Sequence, residues 1–185
     1  KYVDHIRTSV QHLNHILEEF LSVGRIEKGK MEANPANLNL DNLVRDTVAD
    51  MQSLLKAGQT IDWQVHCPIP VRLDASLLRK ILMNLLSNAL KYSGENSVIT
   101  VRAGCHAKRL TITVQDQGIG ISKEDQAHLF EQFFRAPSVI TVPGTGLGLY
   151  IIAKYLEMMS GTIDLQSAPN HGTTVTIALP LTTPD

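Results

Sequence analysis

Residues 84–93 read NLLSNALKYS, and this stretch directs the interpretation of the whole chain. Asn84 and Asn88 are one helical turn apart and Lys91 follows three residues later, so a helix would place all three on one stripe. Asparagine is a poor helix former because its amide competes for backbone hydrogen bonds. An amide oxygen suits Mg²⁺, and a lysine one turn further on can contact phosphate. A solvated polar face is the alternative that this helix alone leaves open.

Outward from this helix, the residue patterns predict an α/β fold. Asp74 is placed to cap the helix, whose apolar stripe lies beside the polar one and contains Leu78, Ile81, Leu82, Leu85 and Ala89. Apolar periodicity predicts strands near 59–66, 98–102, 110–115, 162–166 and 173–179, and further helices near 41–56 (capped by Asp41), 123–132 and 147–159. The last two strands form a predicted hairpin. The sum is one sheet with three longer helices against it.

The N-terminal region predicts a long helix of a different kind. Its apolar residues recur in alternating steps of three and four, as in a coiled coil or helix bundle, at Val3, Ile6, Val10, Leu13, Leu17 and Phe20 (the seam). The alternative is an amphipathic helix that lies on its own domain. Asn34-Pro35 ends the pattern and predicts a linker. We therefore divide the chain into residues 1–33, a bundle helix with its exit linker, and residues 34–185, the α/β domain.

Composition limits the classes of partner. The formal net charge of −1 provides no long-range field for nucleic acid or an anionic membrane, so local groups must hold any acidic ligand. No apolar run is long enough to span a bilayer and no signal peptide is visible. Cys67 and Cys105 lack metal-site spacing and suggest neither a zinc site nor a disulfide framework, which is typical of a reduced cytosolic compartment. Lys1 lies inside the predicted helix without an initiator Met, so we expect a piece of a longer protein.

Two further motifs follow the Asn helix. DQGIG, residues 116–120, comes directly after a predicted strand, where a carboxylate can accept from an adenine amino group and glycines let the backbone approach the ring. Alone, Asp-x-Gly is also an ordinary turn. LFEQFFRA, residues 129–136, places Arg135 after three phenylalanines. Clustered phenylalanines usually indicate a core, and an isolated arginine usually indicates a surface.

The last motif is PGTGLGLY, residues 143–150, which opens a predicted helix. Glycines before a helix N-terminus expose amide N–H groups to an anion, and the helix dipole adds roughly 0.3–1 kcal/mol. The spacing matches neither the Walker phosphate loop nor a dinucleotide fingerprint. Alone, such a turn would more often be a linker.

The order of these four motifs resembles the N box, first glycine box, F box and second glycine box of the sensor histidine kinases of two-component systems, in the Bergerat or GHKL ATPase superfamily. GTTVTIALP, residues 172–180, resembles the closing strand of that domain, and LSVGRIEKGKMEANP, residues 21–35, is similar to the segment that leaves the second dimerisation helix. The resemblance implies a Bergerat α/β sandwich. Its mixed sheet should be covered on one face by three helices and preceded by a long bundle-forming helix.

The resemblance also implies roles at the phosphate end. Asn88 should be the Mg²⁺ ligand, with Asn84 supporting the metal or the phosphates. Lys91 should contact phosphate, and Arg135 should meet the terminal phosphate of ATP. The predicted lid, residues 136–146, has no Lys or Arg of its own, so neutralisation of phosphate charge rests on Lys91, Arg135 and the metal.

For the rest of the nucleotide, the resemblance implies that Tyr92 packs along it and that Asp116 binds the adenine amino group. The floor, hinge and phosphate turn are implied at Gly118, Gly120, Gly144, Thr145, Gly146, Leu147 and Gly148.

The implied activity is transfer of the ATP γ-phosphate to a histidine on a first dimerisation helix that this chain lacks. DHIRTS, residues 4–9, imitates the family's phosphoacceptor motif, but aligning its Arg-Thr places Asp4 at the histidine position. We therefore predict that His5, His12 and His15 are not phosphoacceptors. Implied partners are ATP or ADP, the first dimerisation helix, a response-regulator receiver domain and a second copy in the full-length protein. Nucleic acid and direct membrane contact are not expected, and the location should be cytoplasmic.

Two other functions are alternatives to phosphotransfer. ATP hydrolases of the same superfamily use a glutamate one turn before the metal asparagine to activate water. Here that position is Asn84, which cannot act as a general base at neutral pH. A nucleotide-sensing module without chemistry stays open.

Overall fold

The computed structural model describes residues 2–69 and 71–181. Its helices are α1 (Tyr2–Glu27), α2 (Leu40–Met51), α3 (Ala75–Tyr92), α4 (Lys123–Gln126) and α5 (Gly148–Met158), with 3₁₀ turns at Gln52–Leu54 and Pro137–Val139. Its strands are β1 (Ala36–Leu38), β2 (Thr60–His66), β3 (Val71–Leu73), β4 (Val98–His106), β5 (Arg109–Gln115), β6 (Thr162–Ser167) and β7 (Thr173–Pro180).

The main sheet is mixed and has the strand order β2-β4-β5-β7-β6. Strands β2 and β4 run parallel, whereas the other neighbours are antiparallel. The register places Ile112 opposite Ile177 and Val101 opposite Val114, so buried apolar side chains line up on one face. Helix α3 packs on β4 and β5, α5 on β6, and α2 on β2. The expected α/β sandwich, with three helices on one face of a mixed sheet, is confirmed.

The observed N-terminal cap matches the prediction for α3 and differs from it for α2. Asp74 caps α3, because its carboxylate accepts from the backbone N–H of Leu77 at 2.9 Å. The cap of α2 is Asn39, which accepts from the Asn42 N–H at 2.9 Å, so the prediction of Asp41 was wrong. Asp41 lies instead in the first turn, where its charge suits the helix dipole.

Two features of the fold were not predicted. Strands β1 and β3 form a separate antiparallel pair, and strands of three residues are too short to show alternation. The helix expected over 123–132 ends at Gln126, and the chain continues in turns to Phe133, whose φ of 64° no α-helix accommodates.

The expectation that the two cysteines form no disulfide was wrong. Cys67 and Cys105 form a disulfide with a Cα–Cα distance of 4.8 Å. Parallel pairing of β2 with β4 places His66 beside Gly104, so the next residue of each chain segment is brought alongside the other. The sequence separation of 38 residues contains no sign of this contact.

Helix α1 lies on the α/β domain mainly through a different face from its seam, although the ring of Phe20 in the seam lies 6.1 Å from that of Phe133. Its inner face contains Ile16, Glu19, Val23 and Ile26, which contact the core or line the cavity described below. The seam lies roughly 120° around the helix from these residues. Its described side chains are exposed, namely Val10, Leu13, Leu17 and Phe20. The helix thus lies on its own domain through one face, while the described seam residues stay exposed and the bundle interpretation stays a prediction.

Within 2–69 and 71–181, no helix is both long and apolar enough to cross a membrane. The side chains of Val3, Ile6, His5, His12 and His15 lie outside the described ones, so the expectations for them stay predictions.

Candidate functional site

A cavity of about 440 Å³, here called the main cavity, opens between α3, the turn after β5, the lid and α1. It is lined by eleven of the residues singled out from sequence: Asn84, Asn88, Lys91, Tyr92, Asp116, Gly120, Arg135, Gly144, Thr145, Gly146 and Gly148. Gly118 and Leu147 do not line it. Leu147 is fully buried in the core, where it precedes the first turn of α5.

The polar stripe of α3 faces the second glycine segment across this cavity. An ideal Cβ on Gly148 would lie 2.7 Å from Asn84 Oδ1, and one on Gly144 would lie 2.7 Å from Lys91 Nζ. The Lys91 ammonium lies 4.8 Å from the centre of the Tyr92 ring. The glycines therefore let the backbone pass close to an amide oxygen and an ammonium group, the two kinds of group suited to a metal and to phosphate.

The residues present fit a bound Mg²⁺ only in company with phosphate. The described part of the chain has no cluster of three His, Cys, Asp or Glu that could hold a metal by itself. Mg²⁺ commonly binds through few protein oxygens together with water and substrate phosphates. The amide oxygens of Asn84 and Asn88, which lie in the cavity wall, suit that mode.

The turn after β5 is held by backbone groups. Asp116 N–H donates to Thr173 O at 2.9 Å, Gly172 N–H to Gly118 O at 3.1 Å, and Asn170 N–H to Ile119 O at 2.7 Å. The β6–β7 turn thus positions the turn that carries Asp116.

The Asp116 carboxylate is held at one of its oxygens. Its Oδ1 accepts from the N–H of Gly118 at 2.8 Å and of Thr173 at 3.2 Å. Burial raises the pKa of Asp116 above its ordinary value, although these two backbone hydrogen bonds act in the opposite direction. Among the described residues, none donates a hydrogen bond to its second oxygen, Oδ2.

Arg135 lies in the cavity wall but is bound to the lid. Its guanidinium donates to the carbonyl of Val139 at 2.7 Å and also to that of Val142. To meet a terminal phosphate it must exchange these carbonyls for the ligand.

The lining residues that sequence reasoning missed include Ile16, Glu19 and Thr173. Glu19 is 7% exposed and accepts a hydrogen bond from the Thr145 hydroxyl at 2.5 Å. The only local sign of a buried position for Glu19 was its place between Ile16 and Val23 on one helical face. A single acidic residue on such a face is common and does not by itself predict a binding site. Thr173 has no local signal, because its contact with Asp116 joins two distant strands.

The matching family model is described as "Histidine kinase-, DNA gyrase B-, and HSP90-like ATPase" and covers residues 73–183. That range contains every element of the main cavity except α1. The chain belongs to this ATPase family. It is an ATP-binding catalytic domain of the kind that histidine kinases carry.

Individual histidine kinases and sensor proteins are similar to this chain over nearly its whole length. The chain is 32% identical to the circadian input-output histidine kinase CikA of Synechococcus elongatus, over 97% of this chain and 25% of that protein. It is 36% identical to the sensor protein GacS of Pseudomonas syringae pv. syringae, over 97% of this chain and 21% of that protein. The crystal structure of full-length ShkA in complex with AMPPNP matches with a TM-score of 0.85 and 27% identity, over 99% of this chain and 39% of that one. The chain thus spans a quarter or less of these curated relatives.

Proposed function

We propose that this chain is the catalytic part of a sensor histidine kinase that transfers the γ-phosphate of ATP to a histidine on a first dimerisation helix. The observation that supports this most directly is the polar stripe of α3 facing the second glycine segment across the cavity that also holds Asp116. Residues 34–185 would be the ATP-binding domain, and residues 1–33 the second dimerisation helix with its exit linker.

The side chains of this chain would bind and orient the nucleotide. Asp116 would accept a hydrogen bond from the adenine amino group with the oxygen that the backbone leaves open. Tyr92 would pack along the nucleotide. Lys91 would neutralise phosphate, and Arg135 would do so after releasing the lid carbonyls. Asn88, supported by Asn84, would hold Mg²⁺, which would neutralise charge on the phosphates when bound.

The transfer step forms one bond and breaks one. A ring nitrogen of a neutral histidine would supply the electron pair for the new N–P bond. The bond between the γ-phosphorus and the β–γ bridging oxygen would break, ADP would leave with that electron pair, and one imidazolium proton would pass to water. The protein contributes positioning and charge neutralisation rather than a covalent intermediate of its own.

The acceptor helix would pack on the exposed seam of α1. Its described positions are between 49% and 63% exposed, which is unusual for four large apolar side chains on one helical stripe. A first dimerisation helix, and a second copy of the hairpin in a homodimer, would cover them. A response-regulator receiver domain would then take the phosphate from the histidine.

Hydrolysis of ATP as the main activity is the weaker alternative. It needs a general base to activate water, and the cavity wall offers the neutral amide of Asn84 at the position where hydrolases of this superfamily carry glutamate.

The proposed dependence on ATP would place this domain in the cytoplasm. Disulfides are rare in that compartment. The Cys67–Cys105 bond is the feature that fits this location least.

The test has a binding arm and a transfer arm. Asn88→Ala should weaken Mg·ATP binding by roughly 1.5–3 kcal/mol in titration calorimetry, the scale of an interaction with a charged group. Asn42→Ala makes the same change on the exposed face of α2 and should leave affinity unchanged. Unchanged affinity in Asn88→Ala would refute the metal assignment.

In the transfer arm, the chain is incubated with γ-labelled ATP, alone and with a polypeptide that contains a first dimerisation helix. We expect acid-labile, base-stable label on the histidine of the added helix only. Label on His5, His12 or His15 of the chain alone would contradict the proposal.

A further inference from the structure

The C-terminal end of α3 is held by a loop that lies outside the main cavity. The last carbonyls of an α-helix have no partner within the helix. In α3, Leu90 O accepts from Gln59 Nε2 at 3.3 Å and Lys91 O accepts from Lys56 Nζ at 2.9 Å. Lys56 Nζ also donates to Ser93 O at 2.5 Å. Two side chains from the segment between α2 and β2 thus cap the helix end.

The capping loop, residues 56–59, is itself fixed. The backbone N–H of Lys56 donates to Gln59 Oε1 at 3.1 Å, and the N–H of Gln59 donates to Lys56 O at 3.0 Å. Gln59 is 3% exposed, and its amide also donates to Ser97 Oγ at 3.1 Å and Gly94 O at 3.3 Å. The loop therefore presents the Lys56 ammonium to α3 from a rigid base.

The carbonyls that Lys56 binds belong to the functional end of α3. Lys91 and Tyr92 are the helix's last cavity-lining residues, and neither Lys56 nor Gln59 lines that cavity. The ammonium also lies at the negative end of the helix dipole, where a cation is favourable. Removal of Lys56 would free the Lys91 carbonyl and let the last turn fray, which moves the base of the Lys91 side chain.

We propose that Lys56 is a positioning residue for the nucleotide phosphates: without touching the nucleotide, it holds the last turn of α3 so that Lys91 points into the cavity. The inference rests on the proposed phosphate contact of Lys91. It assigns to the α2–β2 loop a part in ATP affinity that the cavity lining alone does not reveal.

The experiment compares ligands that do and do not contain phosphate. Titration calorimetry with Mg²⁺ measures ATP, ADP and adenosine binding to the parent chain and to Lys56→Met. We expect Lys56→Met to weaken ATP and ADP binding about fivefold and to leave adenosine binding unchanged. Lys56→Arg, whose guanidinium can donate to both carbonyls, should restore ATP affinity. Lys108→Met removes an equal exposed charge at the β4–β5 turn and should have no effect.

A double-mutant cycle with Lys91→Met distinguishes an effect of Lys56 through Lys91 from a general structural role. If Lys56 acts through Lys91, Lys56→Met should have no further effect on ATP affinity in the Lys91→Met background. Equal losses for ATP and adenosine in Lys56→Met would indicate a general structural role and overturn the inference. The inference would also be overturned if Lys56→Met kept full ATP affinity while Lys91→Met bound ATP weakly. Unchanged ATP affinity in Lys91→Met would refute the proposed role of Lys91 itself, and the inference with it.

Discussion

The two ends of the main cavity differ in what holds them. At the Asp116 end, residues 116–120 are bound to the β6–β7 turn by backbone hydrogen bonds, such as Asp116 N–H to Thr173 O at 2.9 Å. At the lid end, one backbone hydrogen bond joins residues 136–146 to the preceding segment, from the Phe133 N–H to Gly146 O at 3.1 Å, and side chains make the contacts that follow. Arg135 binds two lid carbonyls, and the Thr145 hydroxyl binds Glu19 of α1.

This difference has a consequence for ligand binding. Backbone hydrogen bonds between a turn and a strand cannot exchange partners without local unfolding, so the Asp116 end is formed before a ligand arrives. The Arg135 guanidinium and the Thr145 hydroxyl, by contrast, are donors that can exchange their present acceptors for phosphate oxygens. Base recognition should therefore be preorganised, whereas the lid end should respond both to nucleotide and to the position of α1.

The largest effect should come from Gly120→Ala, which introduces a side chain at the Asp116 end of the main cavity. Gly120 has a φ of 68°, and an ideal Cβ would lie 1.9 Å from Ala168 O, a backbone atom. We expect a loss of about 3 kcal/mol in the free energy of unfolding, from overpacking together with left-handed strain. Urea denaturation followed by circular dichroism measures it.

The matched change at the lid end is Gly144→Ala. Its Cβ would lie 2.7 Å from Lys91 Nζ, the end of a flexible side chain that can move away. We expect less than about 1 kcal/mol of lost stability and a clear loss of ATP affinity. Equal destabilisation by the two substitutions would show that the ends do not differ in rigidity.

An intermediate effect is expected from Asp116→Asn. Asparagine Oδ1 can still accept from the Gly118 and Thr173 N–H groups, so the unfolding midpoint at neutral pH should not fall. Its amide nitrogen would face the adenine amino group as a second donor, which should cost roughly 1–3 kcal/mol of ATP affinity. Calorimetry and thermal denaturation measure the two quantities. Retained ATP affinity would mean that Asp116 does not bind the adenine.

The same variant tests the raised pKa of Asp116. Because the folded chain holds this proton more tightly than the unfolded chain, the contribution to stability is present below the unfolded pKa and is lost as pH rises through the folded pKa. ATP binding needs the carboxylate and should weaken as pH falls through that raised pKa. The two trends run in opposite directions, and Asp116→Asn should remove both.

The smallest effect is expected from Glu19→Gln at the lid end. Glutamine can keep the hydrogen bond from Thr145 while it replaces a carboxyl group in the wall of a cavity proposed to hold a polyanion. ATP affinity should rise about threefold, or ~0.7 kcal/mol. Glu18→Gln makes the same change on the exposed side of α1 and should be neutral. Weaker binding in Glu19→Gln would instead indicate that the carboxylate helps to hold the metal.

Much of the fold could be predicted because its signals are local. Asp74, followed by regularly spaced leucines, was sufficient to place α3 and its cap, and alternation in β5 and β7 was sufficient to place the centre of the sheet. The candidate site was predicted for a related reason. Spacing along the chain placed Asn84, Asn88 and Lys91 on one helical stripe and the glycines in one turn, whereas the roles of these residues came from the resemblance to the family.

By itself, the sequence determined the longer helices, the main strands and the residues of the polar stripe, because periodicity and capping act over a few residues. Only the tertiary structure decided that Glu19 reaches Thr145 across 126 residues, that Cys67 meets Cys105, and that Lys56 caps α3. These contacts join groups that are distant in the chain and share no pattern with their surroundings. Strand pairing and helix packing bring them together, and no local rule contains that information.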